Sequence, residues 1–224
     1  MDQRLKDARI FNLIVFAAVL FAIGPYFVMS APVEQTMGLI QKIFYYHVPS
    51  AMMLFAAAFV CGIGSAVFLF KKHAAADRLA LAAGELAVVF GIIVLVTGPI
   101  WARKAWGVWW QWDARLTSSL LLWMMFVAYL LVRRFGGPGS EKLSAAMALF
   151  GMANVPFVYV SVNYWRTLHP KTSVITEGLA PGMKAPFWFC VVAFAILFTV
   201  LLTLRTKLEK DRAVVEELYL ALDE

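Results

Sequence analysis

Charge is what this sequence has least of. Of its 224 residues only 15% are Asp, Glu, Lys or Arg, while 62% are hydrophobic and the mean hydropathy is +0.76. A soluble domain carries about a quarter charged residues, so a water-soluble enzyme or a nucleic-acid-binding domain is excluded as a first reading. Cysteine is nearly absent. Cys61 and Cys190 each sit inside an apolar run, with no CxxC and no metal-ligand spacing, so they read as small packing residues and not as a disulfide or metal framework. Histidine occurs three times. Also missing are an internal repeat, a low-complexity tract and any polar stretch long enough to be a soluble domain.

What remains is apolar sequence in long runs. A hydrocarbon core of about 30 Å takes roughly 20 apolar residues of helix. Six runs reach that length: about 10–29, 43–70, 79–101, 116–134, 143–165 and 185–204. Only helices and closed barrels satisfy their backbone groups in lipid. The reading is therefore an all-α integral membrane protein, a six-helix bundle with short outer loops carrying the site. The first run follows Arg4, Lys6 and Arg9 and ends at Gly24-Pro25-Tyr26 without a clean small-residue cleavage site, so it reads as a retained helix.

Basic residues set the orientation. Arg4, Lys6, Arg9, Lys71, Lys72, Arg78, Arg133, Arg134, Lys142, Arg205, Lys207, Lys210 and Arg212 fall on one side, thirteen of the twenty cations. Lys42, Arg103, Lys104, Arg115, Arg166, Lys171 and Lys184 fall on the other. Cytoplasmic loops carry the excess, so both termini are expected to be cytoplasmic. The inner connections are short turns, Lys71–Arg78 and Phe135–Lys142, and His73 reads as a solvated loop residue. Residues 1–204 form the membrane domain and 205–224 a cytoplasmic tail. Leading into that tail, Leu204, Leu208, Val215, Leu218, Tyr219 and Leu222 fall near one helical stripe, either a solvated extension of the last helix or a docking surface.

The outer loops hold nearly all the chemistry. Five of the eight tryptophans lie within residues 101–112. An interfacial aromatic belt spreads its indoles over all helix ends, whereas this cluster occupies one loop. If the segment is helical, Trp106, Trp109, Trp110 and Asp113 share a face and make a flat platform suited to a planar apolar macrocycle. Asp113 also suits an N-cap of the fourth helix. His47, in Phe44-Tyr-Tyr-His47-Val-Pro49, and His169, in Trp165-Arg-Thr-Leu-His169-Pro170, lie on the same side as this cluster. Each reads either as a polar cap or as an axial ligand of heme iron. Arg103, Lys104, Arg115, Arg166 and Lys171 flank that surface, where arginine pairs well with propionates. Near the inner boundary Glu85 is expected to snorkel or to pair with Arg78. Asn154 and Pro156 mark an expected kink in helix five.

The run Trp106-Gly-Val-Trp109-Trp110-Gln-Trp112-Asp113-Ala-Arg-Leu-Thr-Ser118 resembles the tryptophan-rich signature of the heme-handling proteins of cytochrome c maturation. The continuation Ala114-Arg115-Leu116-Thr117-Ser118, together with His47-Val-Pro-Ser50 and Trp165-Arg-Thr-Leu-His169, most resembles the CcmC family, over essentially the whole chain. The resemblance implies heme b held at the periplasmic face of the bacterial inner membrane. His47 and His169 would be axial iron ligands, and Trp109, Trp110, Trp112 and Asp113 the platform, to which Trp106 by its helical spacing and Arg115 as a flanking cation are added. It also implies presentation of heme to the chaperone CcmE, and assembly with CcmA, CcmB and CcmD of an ABC-type complex. No conventional enzymatic activity is expected. Two other readings fit a membrane bundle: a heme transporter or exporter subunit, and a b-type electron-transfer subunit, which would stack hemes within the spans.

Overall fold

A computed structural model describes residues 3–171 and 178–222. Residues 1–2, 172–177, 223 and 224, and the side chains of residues 3–7, Arg4 and Lys6 among them, lie outside the described residues. The chain forms α1 (Gln3–Ser30), a 3-10 turn (Leu39–Ile43), α2 (Phe44–Lys71), α3 (Ala74–Trp106), α4 (Ala114–Phe135), α5 (Ser140–Tyr164) and α6 (Pro181–Leu222). These six α-helices are each long and apolar enough to cross a membrane. Helices α1, α3, α4 and α6 extend beyond their apolar runs at both ends, while α2 begins and α5 ends within one residue of theirs. At 1.5 Å per residue, α3 with 33 residues is about 50 Å long and α6 with 42 about 63 Å.

The bundle is organised around α2, which packs against α3, α5 and α6; α4 packs on α5 and α3, and α1 on α6. The α2–α3 seam is made of small residues, with Ala57, Ala58, Cys61, Ala80, Ala83 and Ala87 fully buried. In lipid there is no hydrophobic gain from helix contact, so close backbone approach by small residues supplies the packing energy. Cys61 and Cys190 are buried free thiols, as expected of packing residues. Large apolar side chains such as Phe11, Ile63, Val96 and Phe150 point outward, toward lipid.

Polar groups at the two ends lock the helices together. Arg133 on α4 donates to both carboxylate oxygens of Asp77 on α3, at 2.6 and 2.7 Å. Arg205 on α6 makes a two-pronged pair with Glu85 on α3 and a second bond to Glu209. Glu85 therefore does not pair with Arg78: the guanidinium that reaches it lies 120 residues further on. Lys42, expected as an outer flanking charge, is instead 7% exposed, and its ammonium donates to the Ala31 carbonyl at the end of α1. That carbonyl has no intrahelical partner. His73 caps α3, its Nδ1 accepting from Ala76 N–H at 3.3 Å. Helix α5 runs unbroken through Pro156, and Asn154 donates to the Ser118 carbonyl of α4 at 3.0 Å. Six crossings put both chain ends on one side. The end of α3, the start of α4 and the two outer histidines lie on the other.

Candidate functional site

The site is assembled from four pieces of chain that meet at the end of the bundle opposite the chain termini. His47 occupies the first turn of α2 and is 7% exposed. Its Nδ1 lies 2.8 Å from the Thr97 hydroxyl on α3. That hydroxyl donates its own hydrogen to the Ile93 carbonyl at 2.6 Å, so it can only accept from the ring. Nδ1 of His47 therefore carries the proton and Nε2 keeps a free lone pair. Gly98 makes this approach possible: a Cβ there would stand 3.3 Å from His47 Cε1. The Trp101 ring, from the last turns of α3, meets the imidazole edge-on at 6.0 Å. Its indole N–H points at the Met37 sulfur, 3.1 Å away.

His169 lies beyond α5 and is placed by a relay. Asp113 caps α4, one carboxylate oxygen accepting from Leu116 N–H at 2.8 Å. The other oxygen accepts from the Thr167 hydroxyl, which in turn accepts from the His169 backbone N–H at 3.0 Å. Asp113 is thus both the expected N-cap and the anchor of the histidine loop. The His169 ring places Nδ1 2.9 Å from the Pro170 carbonyl. A carbonyl only accepts, so this ring too carries its proton on Nδ1 and offers Nε2. Burial, with help from the Arg115 guanidinium, pushes the His169 imidazole down from 6.5 to about 4. It is neutral at pH 7, the form a metal ligand needs.

Arg115 stands in the first turn of α4. It donates to the Val158 carbonyl of α5, and its guanidinium lies over the Phe55 ring at 5.9 Å. Two clefts meet at His47, Ala51, Trp101, Arg115 and His169. The first continues between α3 and α4 past Trp106, Trp110, Gly98 and Leu116, down to Leu54 and Leu95. It encloses about 660 Å³ of empty space including its mouth. It is a slot walled by Phe55, Trp101, Trp106 and Trp110. The second is wider and turns toward Met37, Gln41, Leu179 and Met183.

The tryptophan segment differs from the helical platform its spacing allows. Helix α3 ends at Trp106, Gly107 takes φ +79°, and residues 107–113 are not helical. Once the chain leaves the helix at this left-handed glycine, the i, i+3, i+4 rule no longer places Trp109, Trp110 and Asp113 on one face. Trp106 faces His169 at 6.4 Å, and Trp110 lines the slot with its Nε1 buried and unpartnered. Trp112 stands edge-on to Trp110 at 5.8 Å, and is 75% exposed; Trp109 is 59% exposed. Trp112 and Asp113 line a separate outer groove with Gln111, Arg166, Thr167 and Leu168. Sequence reasoning missed Thr97, Thr167 and Met37. A threonine inside an apolar span, followed by Gly98-Pro99, is the one signal that pointed to Thr97. Thr167 and Met37 have none.

Against known proteins, the family model described as heme exporter protein C, CcmC, matches residues 3–218. The chain is 36% identical over 188 residues to heme exporter protein C of Bradyrhizobium diazoefficiens, covering 82% of this chain and 72% of that one. It is 30% identical over 201 residues to the protein of the same name from Escherichia coli K12, covering 85% and 80%. A putative cytochrome c biosynthesis ccmC-like mitochondrial protein of Marchantia polymorpha is 31% identical over 198 residues, covering 87% and 85%.

Proposed function

The chain belongs to the heme exporter protein C family, and from that premise we propose that it binds heme b at the periplasmic face of the bacterial inner membrane and presents it to the chaperone CcmE. One observation carries the reading: two neutral imidazoles line one cleft, each with its Nδ1 engaged and its Nε2 without a partner among the described residues. Paired nitrogen donors of this kind suit the two axial positions of a porphyrin iron. The rest of the donor set fits the same guest. The slot's aromatic walls suit a planar macrocycle. The buried Trp110 N–H, without a partner among the described residues, and the Arg115 guanidinium at the junction of the two clefts are candidate donors for propionates.

His47 and His169 are the proposed axial ligands. Trp106, Trp110 and Arg115 bound the heme from within the cleft. Trp109, Trp112 and Asp113 form the outer rim, where a partner reaches the macrocycle edge. Heme is cargo here, so it must be held and then released. Exposed indoles offer contact area at little ordering cost, while the two imidazoles keep the iron in place. CcmA, CcmB and CcmD are the proposed companions in an ABC-type complex, with both chain ends cytoplasmic. Burial of His47 within α2, at the same end as His169, argues for one site at one surface and against hemes stacked across the bilayer.

The test is an absorption spectrum of the purified protein beside a His47→Ala/His169→Ala variant. A Soret band in the wild type that collapses or shifts in the variant, with helicity and thermal unfolding unchanged, is the expected outcome. Wild-type protein that purifies without heme, even when produced together with CcmE, would overturn the reading.

A further inference from the structure

Gln41 stands in the 3-10 turn ahead of α2 and lines the second of the two clefts. It is 8% exposed, and its side-chain oxygen is buried with no hydrogen-bond partner among the described residues. A buried polar atom left unpaired costs free energy, so an amide kept in this state calls for a guest that completes it.

The turn that carries Gln41 is held from its own loop. The Glu34 carboxylate accepts from the backbone N–H groups of Thr36 and Met37, and the Gln41 N–H donates to the Gly38 carbonyl at 3.3 Å. Lys42, the next residue, sends its ammonium to the carbonyls of Ala31 and Pro32, which do not line the cleft. The amide, and not the neighbouring ammonium, is what this turn offers to the cleft. The cleft itself is roomy and largely apolar. It encloses about 1010 Å³ of empty space including its mouth, with Met37, Phe44, Val48, Leu179 and Met183 along it. It joins the slot at His47, Trp101, Arg115 and His169. A macrocycle held between the two imidazoles therefore turns part of its periphery toward Gln41.

The strongly polar substituents of heme b are its two propionates. A carboxylate that enters an apolar cleft must find donors there. A terminal amide supplies two N–H donors, and rotation about its last bond exchanges the places of its oxygen and nitrogen. We propose that Gln41 is a specificity-determining residue for the cargo: its amide donates to one heme propionate that turns into the second cleft, and so favours porphyrins that carry a carboxylate at that position. The assignment rests on the heme reading of the two histidines. The other propionate stays at the junction, beside Arg115.

The test titrates hemin and hemin dimethyl ester into the heme-free full chain in detergent, with binding read from the Soret band. The ester keeps the iron, the ring and both axial positions and lacks the carboxylates. Wild type should bind hemin at least about tenfold more tightly than the ester, the size of one hydrogen bond to a charged group. Gln41→Leu, close in volume and without polar atoms, should bind hemin about tenfold more weakly and the ester as wild type does, with an unchanged Soret maximum. Gln41→Glu should weaken hemin further, since it sets a second carboxylate against the propionate, and should again spare the ester. A wild type that does not distinguish the two porphyrins, or a Gln41→Leu variant that discriminates as strongly as wild type, would overturn the proposal and leave the amide to a bound water. Equal losses for hemin and ester in Gln41→Leu would overturn it too, because they mark a residue that only shapes the cleft. The heme reading fails differently, by the absence of a histidine-dependent Soret band with either porphyrin, and that result would take the Gln41 assignment with it.

Discussion

Single atoms decide whether the two histidines can serve as ligands. Thr97 and the Pro170 carbonyl each hold an Nδ1, and the lone pairs on Nε2 follow. Outer-shell partners of this kind typically account for 10–100-fold in metal affinity. Thr97→Val, which keeps the shape and deletes the acceptor, should weaken heme retention by at least about tenfold and alter the Soret band. Thr97→Ser should stay near wild type. Wild-type retention in Thr97→Val together with a loss in Thr97→Ser would mean that Thr97 only fills space. A second prediction concerns protonation. In the heme-free protein the His169 ring should titrate near 4, since burial holds it down. The unfolded chain takes up that proton around 6.5. Stability contributed by the neutral ring is therefore present above 6.5 and is lost as pH falls toward 4. An NMR titration of the ring protons that shows a midpoint above 6 would place His169 in open water.

At the scale of elements, the helices are tied at the end that carries the chain termini by two arginine–carboxylate pairs. Arg133–Asp77 joins α4 to α3, and Arg205–Glu85 joins α6 to α3. Removing one partner of a largely buried pair leaves the other charge uncompensated and costs about 3–5 kcal/mol when burial is complete. Both side chains of the Arg133–Asp77 pair retain some exposure, at 13% and 16%. Asp77→Asn should thus destabilise by roughly 1–3 kcal/mol, visible as a lower midpoint of thermal unfolding in detergent. Asp77→Asn/Arg133→Met should recover part of that loss, because no buried charge is left alone. The heme spectrum should be unchanged in both, as this clamp lies at the end away from the histidines. A double variant weaker than Asp77→Asn would show that the pair itself carries the stability.

For the whole molecule, the long last helix is the feature that reaches beyond the membrane. Helix α6 continues without a break from Pro181 to Leu222, and Leu208, Val215, Leu218, Tyr219 and Leu222 are exposed along it. The part that matters to the bundle ends near Glu209, where Arg205 and Glu209 close the network to Glu85. Deleting residues 213–224 should leave unfolding temperature and Soret band unchanged. Deleting residues 205–224 strips Glu85 of its partner and should lower the unfolding midpoint by several degrees. If the shorter deletion destabilises as much, the projecting tail packs on something that the isolated bundle depends on.

Much of this architecture was legible in the amino-acid order alone. Six spans follow from the length of the apolar runs, since a bilayer admits few other solutions. The clustering of His47, His169 and the tryptophans on one side follows from counting crossings. Asp113 as an N-cap is a local matter, written within three residues. What the sequence could not specify are contacts between distant residues. His47 and Thr97 are fifty positions apart, Asp113 and Thr167 fifty-four, and Glu85 and Arg205 one hundred and twenty. Periodicity carries no signal for such pairs, so the sequence pointed to Arg78, the nearby cation, and gave no sign of Arg205. The tryptophan loop shows the same limit. Its spacing fits a helical face, but Gly107 ends the helix and the fold sorts the rings. Trp106 and Trp110 go to the slot, and Trp109 and Trp112 to the surface. Composition settled that the chain lives in a membrane and where its chemistry gathers. Only tertiary packing, by bringing α3 against His47 and the α4 cap against the His169 loop, decided which nitrogen each imidazole offers and which rings surround it.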